Sequence, residues 1–238
     1  MIGVVIPAHN EAGPIAACVA SVWRAAAHPA LGGETVQVVV VADDCSDDTA
    51  AHAAAGGATT LALAARNVGV ARHAGAERLL AAGARWLAFT DADSTVAEDW
   101  LAAQLALQRE AVCGCVWVAD WSVHGECAAA LAAAFAAQYR RVEGHRHIHG
   151  ANLGVSAAAY RQAGGFPALA CSEDVALVRA LEAAGIPVAY SAGPRVWTSA
   201  RRDHRAPSGF GDALRRLSMA LQAPLPGPLA AGVPRAAP

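Results

Sequence analysis

Four short apolar runs in the first half of the chain each end in a polar cluster, and helical stretches separate them. Ile2-Gly3-Val4-Val5-Ile6 closes on Pro7. Val36 to Val41 runs into Asp43-Asp44-Cys45-Ser46-Asp47-Asp48. Leu61-Ala62-Leu63 is a weaker third run, and Trp86 to Thr90 ends in Asp91-Ala92-Asp93-Ser94. Apolar runs without polar alternation are strands covered on both faces, which is the pattern of a parallel sheet. An order of strand, helix, strand, helix, strand, helix, strand leaves few topologies, all of them α/β with right-handed crossovers. The polar clusters all follow strands, so they gather on one rim of the sheet, where open α/β sheets receive ligands.

Between the strands, Pro14 suits a first helical turn and an amphipathic pattern runs to about Ala27. The carboxylates of the Asp43–Asp48 cluster fall in the expected first turn of a second helix, where the helix dipole favours negative charge. Asn67 opens a third helix to about Ala82. The second half is less regular. Glu98 to Glu110 reads as helix, Cys113 to Ala119 as strand and Cys127 to Glu143 as a long helix. Gly150 to Val155 is a loop or short strand, and Ala157 to Ala163 a brief helix. After Gly164-Gly165-Phe166-Pro167, Ser172 is expected to cap a helix to about Ala184. Val188 to Ser191 and Val196 to Ser199 read as two last strands, and Phe210 to Gln222 as a last amphipathic helix. One domain is expected over 1–223, with halves 1–95 and 96–223, followed by a loose Pro-rich tail over 224–238.

Composition narrows the function. The net charge is −2 and all 18 basic residues are arginine, so no broad basic face for nucleic acid is expected. Six cysteines stand at 18, 45, 113, 115, 127 and 171 with no Cys-x-x-Cys pair, and they read as small buried hydrophobes, not as a zinc framework. The Met-Ile-Gly-Val start carries no basic leader, and the longest apolar helical run, Cys127 to Ala137, is short of the ~20 residues of a membrane span. A soluble protein of a reducing compartment, the cytoplasm, is expected. The last helix and tail leave a peripheral membrane contact open, although packing on the domain is the simpler reading.

Asp91 and Asp93 lie one residue apart, so in an extended segment both side chains face one way and can share a hard cation with a diphosphate. Alone, the pair is equally well a solvated turn before a helix. Four segments together say more: Val5-Ile6-Pro7-Ala8-His9-Asn10-Glu11, Val40 to Thr49, Asp91-Ala92-Asp93, and Gly164-Gly165-Phe166 followed by Ser172-Glu173-Asp174. In this order and spacing the chain resembles the family 2 glycosyltransferases with their GT-A fold, from Ile2 to about Trp197.

The resemblance implies a single Rossmann-like domain: a mostly parallel sheet flanked by helices, nucleotide-binding in 1–95, with acceptor-side additions in 96–223. It implies that Pro7, Ala8, Asn10 and Glu11 begin the nucleotide pocket and that Asp43 accepts hydrogen bonds from the base. For Asp44, Asp47 and Asp48, helix capping is the better reading. Asn67 and Arg72 match a segment closing over the nucleotide, with an exposed helix arginine as the rival reading of Arg72 and a solvated face for Arg66. Asp93 would hold Mg²⁺ or Mn²⁺, with Asp91 and Ala92 beside it and Asp91 on the ribose or a metal-bound water. His204, in an arginine-rich loop with Arg201, Arg202 and Arg205, matches a third metal ligand of some relatives, and those arginines equally suit a diphosphate clamp.

Asp174 matches the base that takes the acceptor proton, for which an ionised carboxylate is suited at neutral pH; its place in a first helical turn is the plain alternative. Asn152 and Glu173 fall on the acceptor side. His145, His147 and His149 either line the acceptor site or are satisfied loop histidines. The Gln-x-x-Arg-Trp motif of the membrane-embedded synthases is missing, which disfavours polymer synthesis. The implied activity is metal-dependent transfer of one sugar from a nucleoside diphosphate donor, most simply a UDP-sugar, with GDP open, to an acceptor hydroxyl with inversion. A retaining transferase and a non-catalytic nucleotide-sugar binding subunit are the alternatives. A nucleotidylyltransferase lacks its Gly-rich basic loop here.

Overall fold

The computed structural model describes residues 1–202 and 210–222. Strands β1 (Ile2–Ala8), β2 (Val36–Asp43), β3 (Thr59–Leu63) and β4 (Trp86–Phe89) pair in parallel. Helices α1 (Ile15–Ala26), α2 (Thr49–Ala55) and α3 (Val68–Ala81) connect them. Beyond β4 come the two-residue β5 (Thr95–Val96), β6 (Ala111–Val118), β7 (Leu153–Ser156) and β8 (Val188–Thr198). The resulting sheet runs β3-β2-β1-β4-β7-β6-β8-β5, with β7 antiparallel to both neighbours and β5 antiparallel to β8. The expected α/β class with a mostly parallel sheet is the one observed.

Pro7 does not close the first strand. It pairs in register with Val41 of β2. The Val5 carbonyl accepts from Thr90 on the β4 side. Pro7, two residues on, faces the same side beyond the last β4 pairing, Val5 with Phe89. Its missing N–H therefore falls where no ladder continues.

Alternation of side chains sends each central strand into two cores. Val4, Ile6, Val38, Val40 and Ala88 pack with α1 and α4 (Trp100–Ala106), while Val5, Val39, Val41, Leu87 and Phe89 pack with α3 and α7 (Glu173–Ala183). This two-sided burial explains the unbroken apolar runs. A smaller third cluster joins Cys115 and Val116 of β6 to Phe135, Tyr139 and Leu214 from α5 (Ala128–Gln138), its end, and α8 (Phe210–Gln222).

Several boundaries differ from expectation. The Glu98–Glu110 helix shrinks to α4, and the Cys127–Glu143 helix stops at Gln138. Tyr139 turns extended there because its hydroxyl is held by the Val116 N–H and by His149. The two last strands are one, β8, whose pairing with β6 slips between Gly114 and Cys115. Helix α2 starts at Thr49, after the aspartates, with none of them in its first turn. Asp47 still caps it, accepting from the Thr49 N–H at 3.1 Å, while Oδ2 accepts from Ala12 N–H at 3.0 Å. Ser172 makes no side-chain cap for α7 and takes a left-handed conformation, φ +59°. Among the described residues no helix is long and apolar enough to cross a membrane.

Candidate active site

The carboxyl ends of β1, β2 and β4 open onto a cleft of about 1060 Å³, closed on its far side by the start of α7, the 147–151 segment and the first turns of α8. Asp43, Asp91, Asp93 and Asp174, from three separate segments, all line it. Three rim residues, Asn10, Arg66 and Ser172, hold positive φ without being glycine. Such strain persists where the surroundings impose it, and it clusters at working sites.

Asp43, the last residue of β2, is buried. Its Oδ1 accepts from the Ala65 and Arg66 N–H groups at 2.7 and 2.9 Å, and its Oδ2 from Asn67 N–H at 2.8 Å. A carboxylate has about four acceptor positions, so roughly one remains for a ligand. The first service of Asp43 is to fold the turn entering α3. Arg66 supplies one of those N–H groups and pairs with Asp44 at 3.4 Å on the surface. Asn67 caps α3 by accepting from Val70 N–H at 3.1 Å. Asn10 similarly accepts from Ser46 N–H at 2.8 Å, tying the β1 loop to the β2 loop. Pro7, Ala8 and Ala92 complete this wall of the cleft.

Arg72 overturns the exposed-arginine reading. It is 4% exposed, with one terminal nitrogen on Glu173 and the other on Asp91 at 2.5 Å. Gly150 lies directly against the guanidinium, and a Cβ there would overlap it. Glu173, expected on the acceptor side, is thus buried in this ion triad. Glu173 still borders the cleft, whereas Asn152 does not line it. Fully buried, it accepts from Trp100 Nε1 at 2.9 Å and donates to the Cys115 and Pro194 carbonyls at 2.6 and 2.9 Å. It joins β6 to β8 where their register slips, under Gly114, whose missing Cβ makes room for the amide.

Asp93 sits beside Asp91 and Glu11, and Arg201 bridges it at 3.1 Å to Glu11 at 2.8 Å. Burial, only partly offset by Arg201, and the two neighbouring carboxylates push Asp93 up to about 6. An excess of buried negative charge with hard oxygen donors fits a divalent cation. Among the described residues no three potential ligands gather closely enough to enclose one. Asp93 and Asp91 are the residues at this point of the cleft that could hold such a cation. His204 and Arg205 lie outside the described residues.

Asp174 lies in the first turn of α7. Its Oδ2 accepts from Gly150 N–H at 2.7 Å and its Oδ1 from Val175 N–H at 2.8 Å. Each oxygen keeps an acceptor position. Beside it the three histidines form a column. His145 is buried against the Ser191 carbonyl at 3.2 Å, His147 contacts the Arg140 carbonyl at 3.0 Å and stacks on Tyr139, and His149 meets the Tyr139 hydroxyl at 2.8 Å. Burial lowers both His145 and His149, the latter to about 4. The satisfied-histidine reading holds for His145; His147 and His149 also line the cleft. Tyr139, Phe135 and Phe210, also at the cleft, carried no motif signal in sequence and are placed there only by packing.

A parallel α/β half whose strand ends carry these carboxylates, joined to an antiparallel extension that closes the cleft, is the arrangement of a GT-A glycosyltransferase. The family model for glycosyl transferase family 2 matches residues 3–158, and the chain belongs to that family. A search of curated proteins gave no match. Among solved structures, a mannosyltransferase from Pyrobaculum calidifontis in complex with GDP-Man and Mn²⁺ is similar at 17% identity and TM-score 0.63, over 91% of this chain and 68% of that one. Glucosyl-3-phosphoglycerate synthase from M. tuberculosis, in complex with Mn²⁺, UDP and its glucosyl product, is similar at 18% and 0.56, over 92% and 76%. S. aureus TarS is similar at 13% and 0.61, over 85% of this chain but only 37% of TarS.

Proposed function

We propose that this protein transfers one sugar from a nucleoside diphosphate sugar, a UDP-sugar in the simplest case, to an acceptor hydroxyl with inversion, in the reducing cytoplasm. Asp43, Asp93 with Asp91, and Asp174, brought from distant segments to one cleft, carry this reading. The cation and nucleotides named for two of the similar structures support the donor class. All six cysteines are free thiols, which supports the compartment.

In this reading Pro7 to Glu11, Asp43 and Asn67 hold the nucleoside. Asp91, oriented by Arg72, and Asp93 hold the cation, which supplies stabilisation of the negative charge that grows on the departing diphosphate. Arg201 is released from Asp93 and Glu11 to face that diphosphate. Asp174 accepts the acceptor proton as the new bond forms, its carboxylate held still by two main-chain N–H groups. Of those bonds the Val175 one lies in the first turn of α7 and the Gly150 one ties that turn to the 147–151 segment, so the structural and catalytic roles coexist.

The test is release of nucleotide from UDP-glucose, UDP-galactose, UDP-N-acetylglucosamine and GDP-mannose, with and without Mn²⁺. One donor should turn over, only with the cation. Asp174→Asn should lower transfer about 10²–10⁴-fold while calorimetry still shows UDP binding. Turnover of no donor, or an undiminished Asp174→Asn, refutes the proposal.

A further inference from the structure

The acidic end of the cleft already holds a cation of its own, the Arg201 guanidinium. Arg201 stands three residues past the end of β8, and its main-chain N–H donates to Ser199 Oγ at 3.1 Å. Its side chain reaches the loop after β1, where one terminal nitrogen donates to both Glu11 oxygens, at 2.8 and 2.9 Å. The other terminal nitrogen lies 3.1 Å from Asp93 Oδ2. Both acceptors are withdrawn from water, with side chains only 7% and 13% exposed, while Arg201 keeps 27%. Buried carboxylates need a counter-charge. Here an arginine supplies it.

That position conflicts with a divalent cation. Asp93 Oδ2 and both Glu11 oxygens face guanidinium N–H groups, and among the described residues no three potential ligands converge. Asp93 Oδ1 remains, with Ser94 Oγ at 3.5 Å. A dication on that oxygen stands within a carboxylate's width of the guanidinium, where like charges repel in a site that water screens poorly. Arg72 does not relieve the repulsion, being tied to Glu173 and Asp91. Parting Arg201 from two buried carboxylates without replacing either charge is costly. A diphosphate removes the cost on one side, since its oxygens suit the guanidinium fork, and a cation removes it on the other by taking over the carboxylates.

We propose that Arg201 is a resident stand-in for the cation: its guanidinium and a divalent cation exclude one another at Glu11 and Asp93, so the cation binds well only together with a diphosphate that receives Arg201. This role rests on the sugar-transfer reading above, from which the cation and the diphosphate are taken. The test is titration of the full chain with Mn²⁺, the free ion followed by electron paramagnetic resonance, without nucleotide and with UDP. Without nucleotide, Arg201→Gln should bind Mn²⁺ about tenfold more tightly than wild type. Arg201→Lys keeps the charge but not the two-pronged fork, so it should fall between the two, and it must still exceed wild type if the glutamine variant does not fold. Arg66→Gln removes an arginine of the same cleft that is 71% exposed, and should stay within about twofold of wild type. UDP should tighten Mn²⁺ binding more in wild type than in Arg201→Gln. Mn²⁺ binding no tighter in the Arg201 variants, an equal gain in Arg66→Gln, or a UDP effect indifferent to Arg201 overturns this role and leaves the cation itself standing. No Mn²⁺ binding by any form, even with UDP, overturns both.

Discussion

Arg72→Met tests the buried triad that links the two halves of the site. Arg72 and Glu173 expose only 5% and 4% of their side chains, whereas Asp91 exposes 36%. Removing the guanidinium leaves Glu173 charged and without its cation in the interior, which costs about 3–5 kcal/mol. The half-exposed Asp91 adds little, since water replaces its partner. With a urea slope of about 2–3 kcal/mol per molar, the midpoint should fall by about 1–2.5 M. In Arg72→Met/Glu173→Leu the stranded charge is gone, so most of the loss should return, giving a coupling of at least about 2 kcal/mol. Equilibrium urea unfolding of wild type, both single variants and the double variant measures this directly. A single-variant loss below about 1 kcal/mol, or additive losses, would refute the triad as a buried unit.

Three further outcomes are expected. Asn152→Leu strands two carbonyls and the Trp100 indole N–H, each worth about 1–3 kcal/mol; a loss of about 3 kcal/mol or more should appear in urea, and a variant as stable as wild type would contradict it. His149 is lowered to about 4 from an ordinary 6.5, so the unfolded chain binds more protons between these values and stability is lost as pH falls from about 6.5 to about 4. The loss from this group is about 3 kcal/mol, and His149→Gln should flatten the pH dependence of unfolding in that window. Asp93 is raised to about 6, so its charged form burdens the metal-free fold as pH rises from about 4 through 6. Asp93→Asn should raise the melting temperature at pH 7.5 in chelator, by the equivalent of about 1–3 kcal/mol, while donor turnover disappears; an unchanged or lowered melting temperature would count against the burial of that charge.

Much of the rim was legible from local pattern, because it depends on local pattern. Parallel strands buried on both faces must be apolar throughout, so Val4 to Ile6, Val38 to Val41 and Leu87 to Phe89 announced themselves, and the polar residues ending each run had to lie at one edge. Asn67 opening α3 and the Phe210–Gln222 helix were equally readable, since caps and amphipathic faces involve near neighbours. The Cys127–Glu143 helix was misjudged because propensity favours continuing it, whereas Tyr139 is drawn out by a bond to Val116, 23 residues earlier.

What the chain's order of residues determined alone is the layered α/β scaffold and the set of carboxylates at its edge. What only the tertiary structure decided is which polar groups are spent on holding the fold. Arg72 meets Glu173 across 101 residues, and Asn152 joins carbonyls 37 and 42 residues away. His149 meets the Tyr139 hydroxyl, which the Val116 N–H of a distant strand also reaches. The physical reason is the same in each case: a buried polar atom must find its partner wherever the packed chain brings one, and no local pattern records that meeting.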